Sequence, residues 1–184
     1  MKSHAKGSLF EREVCRSFSL WWSNNTNDAI FWRSDSSGAR ATVRTKQGKQ
    51  TANSYGDMSS VDQSGFPFIN RVLVEMKRGY NSSSIQDFVD RSPNSKKLPY
   101  EVFTDKLNQE LKSSGRDFWM LVIKRDRREK IAFVNRAFFQ FIREQMEARC
   151  KNWMFIRVIK DGYYYCFKLD DFFNCVAPSS FKEK

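Results

Sequence analysis

The chain has 184 residues and a mass of 21.7 kDa, enough for one well-buried domain and short for two. Its 32 Lys and Arg outnumber 21 Asp and Glu, giving a formal charge of +11, yet 40% of residues are hydrophobic and 15% aromatic. Such a composition excludes a disordered basic tail and points to a folded basic domain whose partner is a polyanion, nucleic acid or an acidic membrane surface, unless the charge serves solubility alone.

From Ser8 to about Trp22, apolar residues recur at helical spacing, Phe10, Val14, Phe18 and Trp21 forming one stripe with Cys15 and Trp22 beside it. Glu11 projects into that stripe. A carboxylate there needs a counter-ion, either a buried Arg or Lys or a hydrated metal at the edge of the core, unless it belongs to a fraying first turn. A short strand, Ala29 to Arg33, leads into Ser34 to Gly56, a polar stretch carrying Arg40, Arg44, Lys46 and Lys49. It reads as a phosphate-contacting flap or a solvated insertion.

Gly56-Asp57-Met58 and a polar turn through Gly65-Phe66-Pro67 precede a strong strand, Phe68 to Lys77. Val72, Val74 and Met76 share one face of it, and Leu73, Glu75 and Lys77 the other. After a second polar connection, with a short helix at Ile85 to Val89, a helix spans Tyr100 to Leu111 and a strand Phe118 to Lys124. The charged turn Arg125-Asp126-Arg127-Arg128 joins this to a strand from Lys130 to Val134. Asn135 is an N-cap for a helix reaching about Ala148. A hairpin, Trp153 to Ile159 and Tyr163 to Leu169, turns near Asp161-Gly162, and a last short helix begins at Asp170 or Asp171.

Cys15, Cys150, Cys166 and Cys175 are scattered without a CxxC, and His4 is the single histidine, which argues against zinc and against a histidine base. The chemistry in view is carboxylate chemistry. Glu75 and Lys77 stand side by side on one strand face, and Asp57 starts the expected neighbouring strand after a glycine that permits a sharp turn. Two carboxylates on adjacent strands suit a hard, oxygen-ligated ion such as Mg²⁺. Lys77 would then orient or activate a metal-bound water, and Glu11 would complete the site.

Asp57, Glu75 and Lys77 in this order resemble the motif of the PD-(D/E)XK nuclease superfamily, with Gly56 in place of the usual Pro. Lys6-Gly7 followed by Glu11-Arg12-Glu13 is similar to the opening of archaeal-type Holliday junction resolvases, as are Phe31-Trp32-Arg33-Ser34 and Ser37-Gly38, although a long basic insertion separates these from Asp57. The resemblance implies an α/β, restriction-endonuclease-like core over residues 6–135, a central mixed sheet flanked by helices, with a C-terminal helix and β-hairpin extension over 136–184. It also implies a metal-dependent deoxyribonuclease using Mg²⁺, or Mn²⁺ in its place, with Glu11, Asp57, Glu75 and Lys77 catalytic and the three carboxylates metal-bound. Gln109 would be an accessory residue, or a surface one.

On this reading the partner is DNA, held by Arg33, Arg40, Arg44, Lys46, Lys49 and Arg78. A homodimer would place two sites on two strands, in a nuclease of recombination or repair. The alternative from a different class is a non-catalytic nucleic-acid-binding protein on the same fold, its carboxylates structural. Asp62 rivals Asp57 but sits where Asp caps a turn, Asp170-Asp171 suits a helix start better than a second metal, and Trp21-Trp22 and Tyr163-Tyr164-Tyr165 serve either the core or base stacking. With no signal-type leader and no apolar run of membrane-spanning length, the expected location is intracellular, cytoplasmic or nucleoid-associated.

Overall fold

The computed structural model describes residues 3–34, 55–84, 86–90, 92, 94–149, 153–158 and 162–182; for 3–6, 88–89, 153–158 and 162–163 only the backbone is described. Arg40, Arg44, Lys46 and Lys49 lie outside the described residues.

The first amphipathic stripe forms helix α1, Ser3–Trp22, starting earlier than the apolar periodicity alone indicates. Phe10, Val14 and Phe18 are fully buried by it. Strand β1, Phe31–Arg33, pairs antiparallel with β2, Met58–Ser60, as a two-stranded ribbon separate from the main sheet. The segment expected to open the central strand is instead a helical turn, α2, Phe66–Ile69. Pro67 explains the difference, because its fixed φ suits a first helical turn and its missing N–H would leave a gap in a ladder. Strand β3 then runs Val72–Arg78.

A short helix α3, Asp87–Asp90, precedes the long helix α4, Pro99–Ser114, which carries the chain across to β4, Phe118–Lys124. The remaining elements are β5 (Lys130–Asn135), α5 (Arg136–Arg149), β6 (Trp153–Val158), β7 (Gly162–Lys168) and α6 (Leu169–Cys175). Asn135 caps α5 as expected, its Oδ1 accepting from the Phe138 N–H at 3.1 Å.

The central sheet is mixed, with five strands in the order β3-β4-β5-β7-β6. Only β3 and β4 are parallel, as the helical crossover between them requires; every other pair is antiparallel. The C-terminal hairpin continues this sheet, since β7 pairs with β5 from Ile131↔Lys168 to Asn135↔Tyr164.

Helices flank both faces. Val72, Val74 and Met76 pack with α1, α5 and α6 in a large core that includes Phe68, Phe138 and Phe172. Leu73 faces the other way, with Tyr100 and Leu107 of α4, Trp119, Leu121 and Phe133. Trp21 and Trp22 belong to the first core: their indole N–H groups donate to the Val176 and Ser64 carbonyls, each at 2.9 Å, and Phe68 lies within 6 Å of both rings. Tyr165 stacks on Phe139 at 3.8 Å. Among the described residues no helix is long and apolar enough to cross a membrane.

Candidate functional site

The alternation of β3 places Glu75 and Lys77 on the face covered by α4, in a position that is central to the core but at the edge of the sheet. Glu75 is 2% exposed. Its Oε1 accepts from Lys77 Nζ at 2.5 Å and from Lys106 Nζ of α4 at 3.2 Å, while Oε2 is buried without a partner among the described residues. Lys106 also pairs with Glu110 one turn along its helix, at 3.4 Å.

Asp57 reaches this cluster from the far side of β3. Gly56, at φ +74°, turns the chain so that the Asp57 N–H donates to the Val74 carbonyl at 2.8 Å. Asp57 Oδ2 accepts from the Met76 N–H at 2.8 Å and lies 3.3 Å from Lys77 Nζ. Ser34 holds the turn from behind, its Oγ donating to the Gly56 carbonyl at 2.6 Å and its N–H to the Asp57 carbonyl at 3.0 Å.

Burial and the neighbouring Glu75 push the Asp57 carboxyl up to about 6, against the opposing pull of Lys77. Burial disfavours the Lys77 ammonium, but Asp57 and Glu75 outweigh it and raise the Lys77 pKa. Lys106 is raised for the same reason, burial being overcome by Glu75 and Glu110. Glu110 itself is raised, by burial first and Glu75 next, with Lys106 opposing.

The Asp57 shift has a sign that can be measured. A carboxyl raised from 3.8 to about 6 binds its proton more tightly in the folded protein, so its contribution to stability is full below about pH 4 and is lost as pH rises through 6. Urea midpoints taken from pH 4 to 7 should therefore fall more steeply in the parent than in Asp57→Asn, which keeps an acceptor for the Met76 N–H. Parallel curves would contradict the shift.

The expected metal site is corrected by this geometry. Among the described residues no group of three or more His, Cys, Asp or Glu side chains is placed to hold a metal ion. Glu11 is taken up by Arg33 of β1, an ion pair in which both side chains are largely buried, so the counter-ion required by the α1 stripe is an arginine. Between Asp57 and Glu75 stands the Lys77 ammonium, where a cation was expected. Mg²⁺ or Mn²⁺ dependence, the deoxyribonuclease activity built on it and the role of Lys77 in activating a metal-bound water fall with that cluster. So do the descriptions nuclease, hydrolase and metal-binding.

Other expected residues are found elsewhere. Arg78 lies beside Asp126 at 3.7 Å. Gln109 is exposed on α4 and outside the cluster. Asp62 caps a local turn, its Oδ1 accepting from the Ser64 N–H at 2.8 Å. Asp170 and Asp171 occupy the first turn of α6, where negative charge complements the helix dipole. Cys15 and Cys166 are buried free thiols, each pushed up to about 12 by desolvation.

Two members of the cluster, Lys106 and Glu110, do not emerge from the motif spacing. The available signal was on α4 itself, where 103, 106 and 110 form a stripe beside the buried positions Tyr100, Thr104 and Leu107. Comparison with protein-family models, curated proteins and solved structures finds no match for this chain.

Proposed function

We propose that this chain is a non-catalytic nucleic-acid-binding protein, with DNA as its partner. The observation that carries the reading is that the carboxylates of the site are neutralised from within, by Lys77, Lys106 and Arg33, in a chain with eleven surplus positive charges. An acidic cluster closed in this way does not repel phosphates, and its half-exposed member Lys106 adds to the cations at the surface. Exposed cations remain outside it, including Arg127 and Arg128 on the β4–β5 turn.

The order of Asp57, Glu75 and Lys77 on adjoining backbone segments supports kinship with the PD-(D/E)XK fold. In this reading the motif residues serve packing. Lys77 is the internal counter-ion of a buried pair of acids, a role that keeps the motif's spacing without its chemistry.

The test separates binding from cleavage. Retention of duplex, single-stranded and branched DNA is measured from 50 to 200 mM salt, and plasmid nicking is followed with Mg²⁺ and with EDTA. Binding should weaken linearly in log salt, with a slope of about −0.9 per neutralised phosphate on duplex, and DNA should remain intact under both conditions. Metal-dependent cleavage would overturn the non-catalytic reading, and failure to retain any DNA at 50 mM salt would overturn nucleic-acid binding.

A further inference from the structure

A cavity of about 230 Å³ opens on the α4 side of the sheet, beside the carboxyl ends of the parallel strands β3 and β4. Its floor is the cross-strand pair Ile123 and Ile131, continued by Phe133 and closed laterally by Tyr100 of α4. The Tyr100 and Phe133 rings lie 5.9 Å apart, tilted by 39°. Arg125 and Arg128 stand at its rim on the charged turn, with Glu129 the one acidic residue among those lining it. Ser83 and Ser84 also line it.

We infer that this cavity binds a nucleoside monophosphate unit, either as a free nucleotide or as the phosphorylated end of a strand. The volume is below the roughly 300–1,000 Å³ of sites for drug-sized ligands, which limits the buried part to about one flat ring system. Isoleucine and aromatic walls suit the faces of a base, and Ser83 and Ser84 supply polar groups for its edge. Two guanidinium groups suit a phosphate, which they bind by charge-assisted hydrogen bonds.

Those groups are differently prepared. Arg125 is anchored, its Nη1 donating to the Ser83 carbonyl at 3.2 Å, and the Tyr100 hydroxyl donates to the same oxygen at 3.3 Å. This ties the charged turn and α4 to the segment that carries Ser83 and Ser84. Arg128 is exposed at the end of the same turn, its main-chain N–H donating to the Arg125 carbonyl at 3.2 Å, and it lines the cavity. The inference deepens the nucleic-acid reading where the unit is a strand end, and stands apart from it where the nucleotide is free.

Titration calorimetry with deoxyadenosine monophosphate, deoxyadenosine and inorganic phosphate tests the site in the full chain. The monophosphate should bind about ten-fold or more tightly than either fragment, and Arg128→Ala should weaken it about ten-fold. Ser84→Phe, which fills the mouth from an incompletely buried position, should abolish binding, with circular dichroism confirming an unchanged fold. Equal binding of all three probes, or a Ser84→Phe variant that binds like the parent, would overturn the proposal. Competition by a 5′-phosphorylated oligonucleotide, and none by its unphosphorylated form, would support a strand end as the source; monophosphate binding without such competition would support the free nucleotide. Duplex DNA retained by a protein that binds no monophosphate would overturn the pocket alone, whereas monophosphate binding without DNA retention would support the pocket and overturn the nucleic-acid reading.

Discussion

Glu75→Ala should destabilise the protein by about 3–5 kcal/mol, the range for removing one partner from a buried ion pair. Glu75 is 2% exposed and its Oε1 receives both Lys77 and Lys106, so truncation leaves a void and two cations that have lost their shared acceptor. The two lysines do not suffer equally. Lys106 is half exposed and can turn to water, but Lys77 is held among Asp57, Phe103 and the strand, left with two longer contacts, to Asp57 Oδ2 and to the Met76 carbonyl, each at 3.3 Å. Asp57 should respond as well: with the neighbouring charge gone, its carboxyl should titrate closer to 3.8, and the stability loss above pH 4 should shrink.

Companion variants distinguish packing from function. Glu75→Gln keeps the volume and an acceptor oxygen and should cost less than Glu75→Ala. The double substitution Glu75→Leu with Lys77→Met exchanges the pair for apolar groups of similar size and should cost less than Glu75→Ala, its remaining cost falling on Asp57, which loses its ammonium partner. DNA retention should survive that exchange, because neither group faces the partner in the proposed function. A double variant that folds well yet no longer binds DNA would show that the cluster touches nucleic acid.

Gly56→Ala is expected to cost about 2–5 kcal/mol, through two effects that add at one position. A methyl group there would sit 2.6 Å from the Val74 carbonyl oxygen, a backbone atom that cannot swing aside, and 3.0 Å from Leu73. Overpacking of this kind costs about 1–3 kcal/mol, and the left-handed conformation at φ +74° adds roughly 1–2 kcal/mol for any residue with a Cβ. Relief requires the turn to move off β3, which would lengthen the Asp57 N–H contact to Val74 and draw the carboxylate away from Met76 and Lys77. Thermal melts should therefore show a lowered midpoint together with a reduced pH dependence between 4 and 6. An unchanged midpoint would mean that the turn is not held against the strand.

Much of the frame was legible because it follows from periodicity. The stripe of Phe10, Val14 and Phe18 could be satisfied only by a helix on a core, and the alternation across Val72 to Lys77 separates an apolar face from a charged one. Asn135 was readable as a cap because a short amide side chain at that position answers an orphan N–H. The helical turn at Phe66–Ile69 was hidden by its strand-like composition, and Pro67 was the residue to weigh.

At the site, spacing located the carboxylates and left their counter-ions open. That Glu11 is close to the core is visible in α1, but that Arg33 answers it depends on β1 crossing the helix, a tertiary fact. Likewise Glu75 and Lys77, two residues apart on one face, can open toward a ligand or close on each other. The choice turns on Lys106 and Glu110, which arrive from a helix some 30 residues later and complete the closed network.

The position of β3 in the strand order gives the Asp57 contacts another meaning. Among the described residues β3 is a terminal strand, and its outer side offers the Val74 carbonyl and the Met76 N–H, an acceptor and a donor of the kind that recruit a further strand from another molecule. Asp57 answers both, the first with its main-chain N–H and the second with its side chain, so one residue imitates a short strand and closes that border of the sheet. An acid that reads in the sequence as a reagent thus covers one acceptor and one donor of an edge strand, and light scattering should show Asp57→Ala, with the Met76 N–H uncovered, aggregating more than its loss of stability alone would dictate.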